Sequence, residues 1–177
     1  MRYTAEYEAL QRQLHEDASY GTSGHKHAGR IVQLAKQIGT RDILDYGRGK
    51  GTLAKSMPFK INEYDPFVPG YDAEPEPADL VVCSDVLEHI EPDCLVDVLK
   101  HLHQLTKKAL FVDVACRPAK KILADGRNAH LIQWGADEWL LQFMDEFAFA
   151  PEFYREPLFK PAFFQTYEGG FIAVMTK

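Results

Sequence analysis

"ILDYGRGKGTLAKSM", residues 43–57, sets glycines at 47, 49 and 51 behind an apolar run that ends in Asp45. Glycine loses more conformational freedom on folding than any other residue, so this spacing implies a backbone that turns tightly or is closely approached. The run before it reads as a buried strand, and residues 51–57 after it as a short helix. Strand, glycine turn and helix form the repeating unit of doubly wound α/β sheets. Such sheets bind ligands where the first strand gives way to the first helix.

Working outward, the same alternation continues. Upstream, Tyr3, Tyr7, Leu10 and Leu14 recur at helical spacing over residues 3–16. After the break "SYGTSG", Ile31, Leu34, Ala35 and Ile38 share a face of a second helix that Gly39 ends. Downstream, "FKINEYD" (59–65) is a strand stopped by Pro66, and residues 66–77 hold four prolines, which excludes a regular helix or central strand. "ADLVVCS" (78–84) and "ALFVDVA" (109–115) are dominated by apolar residues and read as buried strands, as parallel strands covered on both faces do. Between them, residues 93–106 form an amphipathic helix through Leu95, Val98, Leu99, Leu102 and Leu105. Residues 117–130 make a polar, basic loop, and 136–147 a helix with Asp137 as its cap. "FFQTYEGGFIAVMTK" (163–177) turns at Gly169-Gly170 and predicts a hairpin. The expected fold is α/β: a Rossmann-like, doubly wound, mostly parallel sheet with a C-terminal antiparallel hairpin.

Composition narrows the class. The chain has 177 residues, 46% hydrophobic and 26% charged, which suits one folded domain over residues 1–177. A net charge of −6 argues against broad affinity for duplex DNA. Cys83, Cys94 and Cys116 are odd in number and form no C-x-x-C pair, which excludes a zinc ribbon and disfavours a disulfide framework. No apolar run approaches the roughly 20 residues that span a bilayer, and residues 1–17 lack the apolar centre of a secretory signal. The expectation is a cytoplasmic protein without a membrane partner.

The nicotinamide form of the glycine turn is G-x-G-x-x-G, with pyrophosphate at the helix N-terminus. Here the pattern is G-x-G-x-G, with Asp45 two residues before it. An acid so close to the turn suits a ligand carrying an ammonium group better than a pyrophosphate. "ILDYGRGKG" resembles the D-x-G-x-G-x-G motif of class I S-adenosylmethionine-dependent methyltransferases, and "ADLVVCSDVLEHI" resembles their fourth-strand region. The resemblance runs from about residue 20 to the final hairpin. It implies S-adenosylmethionine as cofactor, with Asp45, Gly47 and Gly49 at its amino-acid end and Asp65 on its ribose. It also implies that Ser84 and Asp85 flank the cofactor, and that residues 1–40 form a helical lid. On this resemblance the glycines lack side chains because the cofactor lies against them. Two features depart from the family pattern. Arg48 stands where many relatives carry a small residue, and only thirteen residues separate Asp65 from Asp79. The proline-rich loop must therefore build the adenine side, where Asp72 resembles the acid that contacts the adenine amine.

"DVLEH" is the acceptor-side segment. Asp85, Glu88 and His89 fall within one helical turn, where positions three and four apart share a face. Two carboxylates and an imidazole suit Mg²⁺ or Mn²⁺. With His130 from the loop after the fifth strand, the set resembles the E-x-x-E-H plus distal His of metal-dependent small-RNA 2′-O-methyltransferases. It also resembles the E-x-x-E-H of ubiquinone-pathway O-methyltransferases. Three roles stand open for Glu88 and His89: metal ligands, structural caps of the turn, or His89 as a metal-free general base.

Asn-Pro-Pro-aromatic, Asp-Pro-Pro-Tyr and Pro-Cys segments are missing after the fourth strand, which argues against amino-group DNA and cytosine C5 methylation. Arg117, Lys120, Lys121 and Arg127, with His25, Lys26, His27 and Arg30, suggest a basic rim and an anionic acceptor. The acceptor class is a small molecule, nucleotide, RNA end, sugar or phenol. Trp134 and Trp139 could stack on a ring or belong to the core. The rival expectations are a catalytically silent cofactor-binding subunit that needs a partner chain, motivated by Arg48, and a nicotinamide-dependent enzyme.

Overall fold

The computed structural model describes residues 1–144 and 160–176. Its strands are β1 (Ile43–Tyr46), β2 (Asn62–Tyr64), β3 (Ala78–Ser84), β4 (Thr106–Ala115), β5 (Lys160–Tyr167) and β6 (Gly170–Thr176). They form one sheet in the order β2-β1-β3-β4-β6-β5. The first four are parallel, and β6 returns antiparallel against β4 with β5 outside it. This is the expected Rossmann-like sheet with its closing hairpin.

Helices α1 (Ala5–Glu16), α2 (Ala28–Ile38), α3 (Thr52–Ser56), α4 (Leu95–Leu105) and α5 (Ala136–Met144) surround it. Side chains alternate across a strand, so β3 splits its apolar run between two cores. Val81 and Cys83 meet α4 and α5 through Val98, Leu102, Trp139 and Phe143. Leu80 and Val82 meet α2 and α3 through Ile31, Ala35 and Leu53. Gly39 ends α2 at φ 70°, as its position predicts.

Several boundaries differ from the sequence reading. β2 is shorter than "FKINEYD", and β4 begins at Thr106, directly after α4. Residues 92–94 form a tight 3₁₀ turn before α4 starts at Leu95. Asp137 lies inside the first turn of α5. The helix entry is instead held by Glu138, whose carboxylate accepts the Gly135 N–H at 2.7 Å. Residues 145–147 of the expected last helix, and Lys177, lie outside the described residues.

Between β2 and β3, residues 66–77 form neither helix nor strand. Phe67 turns inward from this loop, and its ring meets Tyr3 and Tyr7 edge-on at 5.0 and 6.0 Å. A satellite cluster of Tyr7, Leu123 and Ala129, with Leu10 and Leu14 packed on it, ties α1 to loop 117–130. Thr4 caps α1, and Glu91 grips Thr4 through its backbone N–H and its hydroxyl at 2.8 and 2.9 Å. The N-terminal helix is thus fastened over the carboxyl ends of the strands. No described helix is long and apolar enough to cross a membrane.

Candidate functional site

Between α1 and the carboxyl ends of β1 and β3 lies a cavity of about 390 Å³, within the roughly 300–1,000 Å³ of small-molecule sites. Asp45, Gly47, Gly49, Asp65, Ser84, Asp85, His89 and His130 all line it. Tyr3, Tyr7, Gln11, His15 and Tyr20 close it from the lid, and Pro66 and Phe67 close it from the loop. Asp72 is exposed and its carboxylate accepts the Gly70 N–H, so it forms no part of this wall.

The protein's own atoms already exclude a side chain at all three glycines, whatever ligand lies beside them. Gly47, Gly49 and Gly51 stand at φ 81°, 53° and 65°, in the left-handed region that L side chains avoid. A Cβ on Gly47 would collide with Val86, and one on Gly51 with Arg48. On Gly49 it would lie 2.5 Å from the Gly21 carbonyl oxygen. What passes close to this backbone is Gly21 of the N-terminal segment at Gly49, Val86 at Gly47 and the Arg48 side chain at Gly51. The N–H groups are engaged too. Those of Gly47 and Arg48 donate to Tyr64 O, that of Lys50 to Gly21 O and that of Gly51 to Arg48 O. The Gly49 N–H donates to Asp65 Oδ2 at 3.0 Å. No N–H of this turn is left to cradle a pyrophosphate, which weighs against the nicotinamide alternative.

Charge around the turn is acidic. Asp45 is 5% exposed and accepts no hydrogen bond from the described residues. Burial, then Glu63, and more weakly Asp65, push its carboxyl up to about 7, with Arg48 acting in the opposite sense. Arg48 itself bonds Glu63 at 2.8 Å and stacks 3.6 Å from the centre of the Tyr71 ring. A carboxylate in this state gains most from a cationic ligand, so Asp45 fits an ammonium or sulfonium group. Asp65 is engaged on both oxygens, its Oδ1 accepting the Phe67 N–H at 3.1 Å and its Oδ2 that of Gly49. Asp85 takes the left-handed conformation at φ 53°, rare for a residue with a side chain.

Asp85 does not join Glu88 and His89 on a helical face, because the turn there is only the 3₁₀ segment Leu87–His89. The donor set that forms is Glu88, His89 and His130, with one ligand atom of each within 4.8 Å of the others. Carbonyls can only accept, so His89 Nδ1 donates to Ala129 O at 2.8 Å and His130 Nδ1 to Arg117 O at 2.6 Å. Both imidazoles are left with an Nε2 lone pair. Glu88 is fully buried; its Oε1 accepts the Ala115 N–H at 2.9 Å, and its Oε2 has no partner. That orphan oxygen beside two oriented imidazoles fits a divalent cation. Burial drives the Glu88 carboxyl well above its usual range. Burial, then His130, pulls His89 down to about 3, against the Ala129 bond. An imidazole so weakly basic makes a poor general base at neutral pH but a ready ligand. The structural role also has substance, since Glu88 Oε1 ties the turn to the end of β4.

The basic rim is smaller than expected. Lys121 pairs with Asp17, and Arg127 with Asp125. His27 is bonded to Asp113 at 2.8 Å, and Arg30 lies over Phe163. Arg117 and Lys120 remain at the cavity wall. Trp139 is fully buried, with Trp134 against it at 5.1 Å, so this pair belongs to the core. The sequence reading missed Gln11, His15 and Tyr20. Gln11 gave the one legible signal, an amide on the apolar stripe of Tyr7, Leu10 and Leu14.

No protein-family model matches the sequence, and no curated protein matches it. Solved structures do match. The Burkholderia thailandensis 1,6-didemethyltoxoflavin-N1-methyltransferase, with 1,6-didemethyltoxoflavin and S-adenosylhomocysteine bound, aligns at TM-score 0.64 and 16% identity over 97% of this chain and 89% of its own. Magnesium protoporphyrin IX methyltransferase from Synechocystis PCC 6803, with S-adenosylhomocysteine bound, gives 0.57 at 14% identity over 98% and 94%. The methyltransferase domain of bacterial CtHen1-CN gives 0.56 at 16% identity over 85% and 97%. At such identities the likeness is one of fold.

Proposed function

We propose that this chain is an S-adenosylmethionine-dependent methyltransferase that methylates an oxygen of a small or anionic acceptor. The observation that carries the reading is the convergence of two sites on one cavity. One wall holds Asp45 and Asp65 beside the glycine turn, and another holds His89 and His130, with Glu88 behind them. Structures of the same fold hold S-adenosylhomocysteine, which supports the cofactor assignment.

Asp45 faces the cofactor's ammonium end, and binding a cation there favours the ionised carboxylate. Asp65 anchors the glycine turn through Gly49 and presents its remaining lone pairs toward the ribose. Ser84 and Asp85 flank the reacting end. Glu88, His89 and His130 would hold Mg²⁺ or Mn²⁺. Bound there, the cation would lower the pKa of an acceptor hydroxyl. Lys120 and Arg117 would attract an anionic acceptor, such as a nucleotide or RNA end, to the same mouth.

Calorimetric titration with S-adenosylhomocysteine tests the cofactor half. Micromolar affinity is expected, falling at least about tenfold in Asp65→Ala, about 1.4 kcal/mol. No binding by the unaltered chain would overturn the stand-alone enzyme and return attention to a subunit that needs a partner.

A further inference from the structure

Gln11 is 2% exposed in the middle of an otherwise apolar helix face, and a buried carboxamide calls for partners. Its partners form a chain that ends on His89. The Tyr20 hydroxyl donates to Gln11 Oε1 at 3.2 Å, Gln11 Nε2 donates to the Tyr7 hydroxyl, and Tyr7 donates to the carbonyl of His89. Its other end lies against the ring of the same histidine: the Tyr20 oxygen is 3.4 Å from Nδ1, whose proton goes to Ala129 O, and the two rings meet edge-on. Every proton in it has one consistent direction, because the final acceptor is a carbonyl. The N-terminal segment therefore bonds the His89 carbonyl through Tyr7 and packs Tyr20 edge-on against its ring.

The same side chains form part of the cavity wall on the cofactor side. We propose that Tyr7, Gln11 and Tyr20 are positioning residues that hold His89 in its ligating pose only while α1 is docked over the cavity. Cofactor occupancy and cation affinity are then coupled through the lid. This rests on the reading of Glu88, His89 and His130 as a divalent centre. Outer partners of a ligating histidine typically change metal affinity 10–100-fold when removed, and coupling between two ligands is reciprocal.

The test is calorimetric titration of Mn²⁺ with and without saturating S-adenosylhomocysteine, on the unaltered chain, Tyr7→Phe and Tyr20→Phe. Each variant removes one hydroxyl from an otherwise retained ring. The expected result is about tenfold tighter Mn²⁺ binding with S-adenosylhomocysteine present, with the difference lost in either variant. Mn²⁺ binding that ignores S-adenosylhomocysteine, or variants that keep the full difference, would overturn the coupling and leave the divalent centre standing. If Mn²⁺ does not bind at all, the centre and its coupling fall together, and nitrogen-15 resonances of the His89 ring decide only whether Tyr7 and Tyr20 position that ring. They should move on S-adenosylhomocysteine binding in the unaltered chain and stay fixed in Tyr7→Phe. Equal movement in both would overturn that positioning.

Discussion

Gly49→Ala separates two explanations of the glycine turn. If the lid excludes a side chain there, the substitution harms the ligand-free protein; if only the cofactor does, it harms binding alone. Gly49 stands at φ 53°, and a Cβ would lie 2.5 Å from Gly21 O and 2.8 Å from Gly21 Cα. Both neighbours are backbone, so no side-chain rotation relieves the clash. A left-handed non-glycine residue costs about 1–2 kcal/mol, and overpacking adds about 1–3 kcal/mol. The sum is roughly 2–5 kcal/mol, or roughly 4–20 °C in Tm for a domain of this size. Gly39→Ala is the control: its φ is 70°, but nothing lies within 4 Å of the added Cβ. It should lose only the conformational part, about 1–2 kcal/mol. Thermal unfolding of ligand-free samples compares the two. If Gly49→Ala is no less stable than Gly39→Ala yet loses S-adenosylhomocysteine binding, the cofactor and not the lid is what the glycine accommodates.

Other consequences follow from the buried charges. With the Asp45 carboxyl pushed up to about 7, a cationic ligand must displace its proton at lower pH. Affinity for S-adenosylhomocysteine should fall below that value, approaching about tenfold per pH unit, and level off above it; titration between pH 5.5 and 8.5 checks this, and Asp45→Asn should flatten the profile. In the same protein without ligand, the folded chain keeps this proton at pH values where the unfolded chain, with an ordinary 3.8, has lost it. The Asp45 contribution to stability therefore declines as pH rises from about 4 to 7 and disappears from the profile of Asp45→Asn. Glu88→Gln keeps an oxygen for the Ala115 N–H and puts an uncharged amide NH₂ where the buried orphan carboxylate oxygen stood; unfolding scans should show little change in Tm, while Mn²⁺ binding is lost. A purely structural cap would give the opposite pair of results. Cys83 and Cys94 are buried, and burial pushes the half-buried Cys116 up to about 11. A chromogenic disulfide reagent should modify Cys116 first and slowly, reaching all three thiols only in denaturant.

Apolar runs exposed most of the sheet in the sequence, because the central stretches of β3 and β4, Leu80–Cys83 and Ala109–Val112, are buried on both faces. Gly39 and the Gly169-Gly170 turn were equally legible, since a left-handed cap and a hairpin turn each demand their residue type. The donor set was legible, the distal His130 included. "LEH" marked Glu88 and His89, but helical spacing wrongly enlisted Asp85, because a three-residue 3₁₀ turn does not share the α-helical period. The cavity's lid side was the least legible. Its residues interact with partners 69 to 82 positions away in the chain, as Tyr20 and Tyr7 do with His89, and no local pattern encodes such a contact.

The short connection between β2 and β3 explains why the lid carries so much of the site. Loop 66–77 has no helix with which to flank the edge strand, so Phe67 must find its apolar cover elsewhere. It finds it in Tyr3 and Tyr7 of the N-terminal segment. That packing fixes the height of α1 above the glycine turn, where the Gly21 carbonyl accepts the Lys50 N–H at 2.8 Å. With the helix pinned at both ends, Gln11 falls between Tyr7 and Tyr20, within reach of His89. The short β2–β3 connection thus makes the N-terminal segment a wall of the cavity.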